Sequence, residues 1–277
     1  MRSINLKDYL QGLLSPEELA LLVRSYDVVG DMAVIIIPPE LTPRQRLIGE
    51  ALMTVVPHIK VVAKRDGVYE GEFRTIALEV IAGESRKETL HKEYGVKLLV
   101  NPEAVYFSVR SATERKRIAD QVRPGEEVLV LFSGIAPYPL IIAANSRAGR
   151  VVGIEKNPVA HQYALKNIKI NRKMKNIELH CGDVAAVLPR LNRTFDRVVM
   201  PLPKGGEPFL TLALHALRPA GVLHYYAMLP QTEFAAGPET VRRAALLEGR
   251  TVRRAEVVRC GHCGPRTYRV CVDCLVD

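Results

Sequence analysis

The sequence predicts an α/β protein with a doubly wound domain over 123–277, preceded by a smaller α/β domain over 1–122. Three observations predict this. From Glu126 onward, strand-sized apolar runs alternate with helix-sized segments, the pattern of parallel strands joined by right-handed crossovers. Pro124-Gly125 punctuates the chain where the texture changes. A composition of 48% hydrophobic and 25% charged residues is that of a globular chain long enough to bury a core.

The elements follow in order. In SPEELALLVRSY, Ser15 and Glu18 have the spacing of a capping box at a helix start. MAVIII reads as a short strand that stops at Pro38-Pro39, and Thr42-Pro43 opens a helix to about Met53. The stretch 59–99 is strand-rich (IKVVAKR, GEFRTIALEVIAG, ETLHKEYG, VKLLV). Asn101-Pro102 breaks it, and ATERKRIADQV continues as a helix from near Ser111. In the second domain EEVLVLFSG is a buried strand entering a tight Gly/Pro turn, followed by the helix PLIIAANSRA. The strand VVGIE, the helix PVAHQYALKNIKIN and the strand IELHCGD come next, then a short helix at Val184–Leu191 and the strand FDRVVMPLP. A helix near 209–217, the strand GVLHYYAM, a basic helix near 239–249 and a final strand pair complete the chain.

No apolar run approaches the ~18 residues of a membrane-spanning helix, and MRSINLKDYL lacks the apolar core of a signal peptide. Five cysteines, an odd number, argue against a disulfide framework and for the reducing cytoplasm. A net charge of +9 favours a polyanionic partner.

In an open parallel sheet, ligands bind beyond the carboxyl ends of the strands. The first such end is Phe132-Ser133-Gly134-Ile135-Ala136-Pro137-Tyr138, where Gly134 admits close backbone approach and a helix start offers N–H groups. The second strand ends at Glu155, 21 residues after Gly134, where a carboxylate accepts hydrogen bonds from ribose hydroxyls. The third ends at Cys181-Gly182-Asp183, whose carboxylate suits an adenine amino group, and the fourth at Pro201-Leu202-Pro203-Lys204. Taken singly, Gly134 reads equally as a packing glycine, and Glu155 and Asp183 as solvated strand-end acids. Their succession at three strand ends favours a nucleoside pocket.

This stretch resembles the Rossmann-like S-adenosylmethionine-dependent methyltransferases. Together with GEFRTIALEVIAG, TLHKEYG, VYFSVRSATERKR, GIEKNP, DRVVMPLPKGG and GVLHYYAM, it resembles the archaeal and eukaryotic tRNA (guanine-37 N1)-methyltransferases. It is also similar to their sister enzymes that build the wybutosine side chain from the same cofactor. The resemblance runs from about Tyr26 to the end. It leaves out the amino-terminal domain with which full-length methyltransferases grip the tRNA elbow, since only some 25 residues precede it here.

The resemblance implies S-adenosylmethionine as cofactor, held by Phe132, Gly134, Ala136, Glu155, Lys156, Asp183 and Pro201, and tRNA as partner. It implies no metal, no membrane and no obligate protein partner. It assigns Glu114 and Arg74, with Pro203, to catalysis, and Tyr106, Arg110 and Lys204 to the substrate. The chemistry is coherent: the N1 proton of guanine must leave as the ring nitrogen attacks, which a carboxylate base assists. The guanine oxygen gains charge that a guanidinium offsets, and an extruded base needs an aromatic surface such as Tyr106. Simpler readings stand beside these. Glu114-Arg115-Lys116-Arg117 fits a solvated helix face, Arg74 a strand ion pair, and Tyr106 the core. His91, Glu93 and Tyr94 fit either ligand contacts or a packed strand end. Three residues depart from the family pattern: Val130 replaces an acid, Ala136 a glycine, and Pro201 the asparagine that holds the target base. The expected function is tRNA methyl transfer to a purine at or near position 37. Aminocarboxypropyl transfer, or a degenerate homologue that binds without turnover, are the alternatives.

Cys260, Cys263, Cys271 and Cys274 form a CxxC-x7-CxxC array with zinc-knuckle spacing. Side-chain alternation along a strand over 269–276 opposes it by sending Cys271 and Cys274 to opposite faces. Two basic clusters, Lys166 to Lys175 and Arg242 to Arg259, suit phosphate contacts or solvated helix faces, the second having fewer acids beside it.

Overall fold

In the computed structural model, which describes residues 5–277, the chain divides into two units. One runs to Lys92 and includes Lys97–Val109; the other comprises Glu93–Val96 and Arg110–Asp277.

The smaller unit opens with helices α1 (Leu6–Leu10) and α2 (Pro16–Leu21), the latter started by the Ser15–Glu18 capping box. Strand β1 (Tyr26–Val29) turns antiparallel into β2 (Met32–Ile35), and helix α3 (Gln45–Val55) crosses over to β3 (Val61–Glu70), parallel to β2. Strand β4 (Thr75–Gly83) completes a sheet of order β1-β2-β3-β4. Apolar residues at helical spacing, Ile48, Ala51 and Leu52, bury α3 against Ala33, Ile35, Val62 and Ile81. Thr42-Pro43 does not open this helix. Pro39–Arg44 is a 3-10 turn and α3 starts at Gln45, because Pro43 has no N–H to donate to the carbonyl four residues back. Strands β5 (Thr89–Glu93) and β6 (Val96–Val100) form a hairpin whose tip, Tyr94-Gly95, has φ of 44° and 79°. Positive φ at both positions is what a two-residue hairpin turn requires.

The larger unit begins with α4 (Ala112–Gln121). Its strands are β7 (Glu127–Leu131), β8 (Arg150–Glu155), β9 (Ile177–Cys181), β10 (Phe195–Met200), β11 (Leu217–Pro230), β12 (Val252–Gly264) and β13 (Thr267–Val276). Helices α5 (Pro137–Asn145), α6 (Pro158–Ile170), α7 (Val184–Leu191), α8 (Leu210–Ala216) and α9 (Ala236–Leu247) connect them. The sheet order is β12-β13-β11-β10-β7-β8-β9. β7 to β11 are parallel, as the alternation predicts, and β13 is antiparallel to both β11 and β12. The order reverses between β7 and β10, which sets a crevice at their carboxyl ends.

The boundary drawn at residue 122 falls instead before α4. Ile118 and Ala119 of that helix are buried, and its charged side chains pair with β11 and β13. A helix spends its apolar face where its partners are, and sequence position does not reveal which side that is. Among the described residues, no helix is long and apolar enough to cross a membrane.

Candidate cofactor rim and a buried charge network

The turn after β7 alternates left-handed residues: Phe132, Gly134 and Ala136 have φ of 58°, 57° and 66°. For Phe132 and Ala136 this backbone costs about 1–2 kcal/mol each, so neighbouring contacts must hold it. The Ser133 amide donates to the Ile154 carbonyl (2.9 Å) and the Ala136 amide to the Ser133 carbonyl (3.0 Å). From α6, Asn167 Nδ2 donates to the Ile135 carbonyl at 3.0 Å. A β-carbon on Gly153 of β8 would stand 2.7 Å from Leu179 Cδ2 and 3.0 Å from Ser133 Oγ, so glycine there lets the turn sit against the sheet.

Glu155 closes the turn. Its Oε2 accepts the Gly134 N–H at 2.6 Å and its Oε1 the Asn157 N–H at 2.7 Å. Burial raises its pKa against the pull of backbone N–H groups from Asn157, Gly134 and Lys156. Two carboxylate oxygens have four acceptor positions between them, and three backbone N–H groups leave one open, so Glu155 can take a hydroxyl donor without giving up an amide. A ribose offers such a hydroxyl, and the residues present fit a nucleoside cofactor. Asp183 caps α7, its Oδ1 accepting the Ala185 N–H at 2.9 Å, while Lys156 Nζ lies 2.9 Å from Oδ2. The Lys156 ammonium holds that carboxyl below its usual range. Phe132 meets Phe209 edge-on at 5.0 Å between centroids. At the end of β10 the Leu202 N–H turns back to the Met200 carbonyl (2.8 Å), bending the chain at Pro201. Pro201 and Pro203 are half-buried and Lys204 is exposed.

Residues 114–117 are not a solvated face. Glu114 is 5% exposed and Arg115 2%. Arg115 clasps Glu93 through two bonds of 2.6 Å, which makes Glu93 part of a packed strand end. Glu114 accepts from Arg117 Nε and Nη2 (2.7 Å each) and from Tyr226 OH (2.6 Å), and Tyr226 OH lies 3.0 Å from Tyr138 OH. Arg117 also donates to Asp273, which receives His224 Nδ1 at 2.6 Å. His224 Nε2 faces Arg197 Nη1 at 2.7 Å, and Arg197 is bound further to Glu126 and the Gln121 carbonyl. A guanidinium can only donate, so Nε2 accepts and Nδ1 carries the proton: His224 is neutral. Burial lowers its pKa, and Asp273 does not reverse that. Burial alone would raise Asp273, but His224 and Arg117 hold it well below the carboxylate range.

His224 Nδ1, Cys271 Sγ and an Asp273 oxygen lie within 4.8 Å of one another. Arg117 and Arg197 already occupy this cluster with positive charge, which opposes a cation there. The cysteine array does not converge. Cys263 is exposed, Cys260 donates to the Arg269 carbonyl, and Cys271 and Cys274 are buried three residues apart on one strand. Burial pushes the thiols of Cys260 and Cys274 up to about 11 and about 12.

The remaining expected residues divide between the units. Arg74 is not on a strand: with φ 50° it closes the β3–β4 turn, its N–H on the Gly71 carbonyl at 3.2 Å. Tyr106 is not core: it is 43% exposed and meets Tyr69 edge-on at 5.5 Å. Arg110, in the larger unit, is exposed on the 3-10 turn before α4. Sequence reasoning missed Asn157, Asn167, Arg197 and Asp273. Asn157-Pro158 is a readable cap-plus-proline start. Asn167 follows the spacing of buried Ala160 and Ala164, and Arg197 interrupts an apolar strand, so each stood out as a polar residue where an apolar one belongs.

A profile of the TRM5/TYW2 methyltransferase domain matches residues 89–252, and one of the TYW2 N-terminal domain matches residues 6–86. The chain belongs to the TRM5/TYW2 family. It is 35% identical over 266 residues to the tRNA (guanine(37)-N(1))-methyltransferase Trm5b of Pyrococcus abyssi, covering 95% of this chain and 78% of that one. It is 28% identical to the tRNA(Phe) (4-demethylwyosine(37)-C(7)) aminocarboxypropyltransferase of Pyrococcus horikoshii, over 100% of this chain and 99% of the relative. Among solved family structures, the complex of aTrm5 with tRNALeu superposes with a TM-score of 0.83 at 30% identity, covering 100% and 79% of the two chains. P. horikoshii TYW2 in complex with MeSAdo gives 0.81 at 25% identity, covering 98% and 97%.

Proposed function

We propose that this chain is a cytoplasmic S-adenosylmethionine-dependent tRNA methyltransferase that modifies N1 of a guanine at position 37. The observation that carries the reading is Glu155, pinned by backbone amides that include those of Gly134 and Asn157, with an acceptor position left for a hydroxyl, in a family whose relatives act on that nucleotide. The cofactor supplies an electrophilic methyl carbon on a sulfonium. The protein's own residues do the rest. Glu155 orients the ribose, Phe132, Gly134 and Ala136 shape the turn beside it, and Lys156 holds Asp183 for the adenine. Glu114 takes the N1 proton on Oε1, exchanging its bond from Tyr226 for one from the base, while Arg117 keeps Oε2 in place. Pro201 and Pro203 shape the base's edge of the crevice, and Lys204 and Arg110 hold phosphate.

A second reading, transfer of the aminocarboxypropyl group, is favoured by the TYW2 N-terminal match over 6–86 and by Pro201, which lacks the amide of an asparagine. One experiment separates them. tRNA is incubated with enzyme and cofactor labelled in the methyl or the carboxyl carbon, and its nucleosides are analysed by mass spectrometry. Methyl label on a guanosine is expected, carboxyl label supports the second reading, and no modified nucleoside despite cofactor binding refutes both.

A further inference from the structure

The two basic clusters differ in what they touch. In the second, Arg242 and Arg243 pair with Glu239 and Glu207, Arg253 with Asp277, and Arg254 with Glu256. Arg250 donates to the Leu217 carbonyl, and Arg259 lies over the Tyr268 ring. These cations are spent on the fold. In the first, Lys166, Lys169, Arg172, Lys173 and Lys175 are all exposed, and among the described residues none of the five forms an ion pair. Lys166 has only the Tyr163 ring beneath it, at 5.0 Å. The acid nearest in sequence, Glu178, is already shared by Arg150, Arg193 and His180. Among the described residues, no carboxylate pairs with any of the five.

Its location is equally specific. Helix α6 starts at its Asn157 cap, next to Glu155, and its 13 residues carry the chain away from the cofactor rim to the turn before β9. At 1.5 Å per residue the basic turn stands about 20 Å from that rim. That is too far to touch the reacting nucleotide and within the span of a folded RNA bound there.

We propose that Lys166, Lys169, Arg172, Lys173 and Lys175 form a docking surface for the phosphate backbone of tRNA, remote from the modified base. This rests on tRNA being the substrate. Protein interfaces are depleted in lysine and anchored by aromatic side chains, whereas unpaired lysines and arginines are the side chains that displace counterions from phosphates. The surface carries no base-reading geometry, so its contribution is sequence-blind and salt-sensitive.

The test combines Lys169→Glu, Arg172→Glu and Lys173→Glu in the full chain. Binding of bulk tRNA is titrated across a salt series, with S-adenosylhomocysteine binding and the melting temperature as controls for folding. The expected result is at least a roughly tenfold weaker apparent Kd near physiological salt and a salt slope shallower by about three. Cofactor-product binding and the turnover number at saturating tRNA are expected to stay at wild-type values. Equal affinity and slope in a variant that keeps its cofactor site would overturn the proposal and leave an acidic protein as the partner. Absence of any tRNA binding by the wild type would also overturn it. Failure of the nucleoside assay alone removes the methyl-transfer reading while the binding comparison still decides the surface.

Discussion

Replacing Asp273 with asparagine changes one oxygen to an NH2 group and removes one charge, with almost no change of shape. The cost follows from its neighbours. Asp273 accepts from His224 Nδ1, Arg117 and Gln121 Nε2, so all its partners are donors. An asparagine carbonyl in the Oδ1 place keeps His224 and Arg117 Nη2 but turns its NH2 on Arg117 Nη1 and Gln121 Nε2, and the flipped amide turns its NH2 on His224 Nδ1. Histidine often escapes such a conflict by moving its proton to the other nitrogen, but here Arg197 donates to Nε2 and forbids it. The variant therefore loses one charge-assisted bond, about 1.5–3 kcal/mol, and leaves a buried donor unpaired, about 1–3 kcal/mol more. Glu114 still pairs Arg117, which removes the extreme of a lone buried charge. A loss of about 3 kcal/mol is expected for Asp273→Asn, read as a fall in the urea midpoint with unchanged slope. In an Arg197→Met background the histidine can switch tautomer, so the same substitution should cost at least about 1 kcal/mol less. A loss below about 1 kcal/mol, or equal losses in both backgrounds, would refute the tautomer lock.

The same network sets a pH dependence. Folded His224 stays neutral while the unfolded chain binds a proton below about 6.5. Unfolding then takes up protons, so stability declines as pH falls from about 6.5, whereas Asp273, depressed when folded, contributes stability that is lost only below about 4. Urea melts from pH 8 to 5 check this, and a flat curve would contradict it. Ala136→Gly should raise stability by roughly 0.5–1 kcal/mol by relieving a left-handed alanine; a destabilised variant would show that the alanine methyl packs for more than the strain costs. Glu155→Gln should weaken S-adenosylhomocysteine binding roughly 10- to 100-fold by calorimetry, since its NH2 opposes the Gly134 or Asn157 amide. A change within about threefold would remove Glu155 from the site. Tyr226→Phe removes the hydrogen bond that positions Glu114 Oε1, so kcat should fall roughly tenfold while S-adenosylhomocysteine binding stays unchanged. An unchanged kcat, with Glu114→Gln still active, would assign Glu114 to structure alone.

What could be read before folding was local. The 2- and 3.6-residue periods placed most strands and helices, the Ser15–Glu18 spacing placed a cap, and Gly134 and Glu155 stood at consecutive strand ends because a parallel sheet puts every βα turn on one rim. The resemblance carried in VYFSVRSATERKR and GIEKNP named the family for the same reason: those segments are short and contiguous. Residue 122 misled because a domain edge depends on which unit the flanking helix packs against, and Thr42-Pro43 because Pro43 lacks the N–H that an α-helical turn there would use.

The amino-acid order by itself determined the alternation of elements, the family and the acids along the rim, since each depends on neighbours a few residues apart. Only the tertiary structure decided that Glu114 is clamped by Arg117 and Tyr226, that His224 is neutral, and that the lysines of α6 are unpaired while the arginines of α9 and β12 are not. Partners that meet from 112 or 156 positions apart leave no period or spacing in the chain, because their pairing is set by how helix and sheet stack after both have formed.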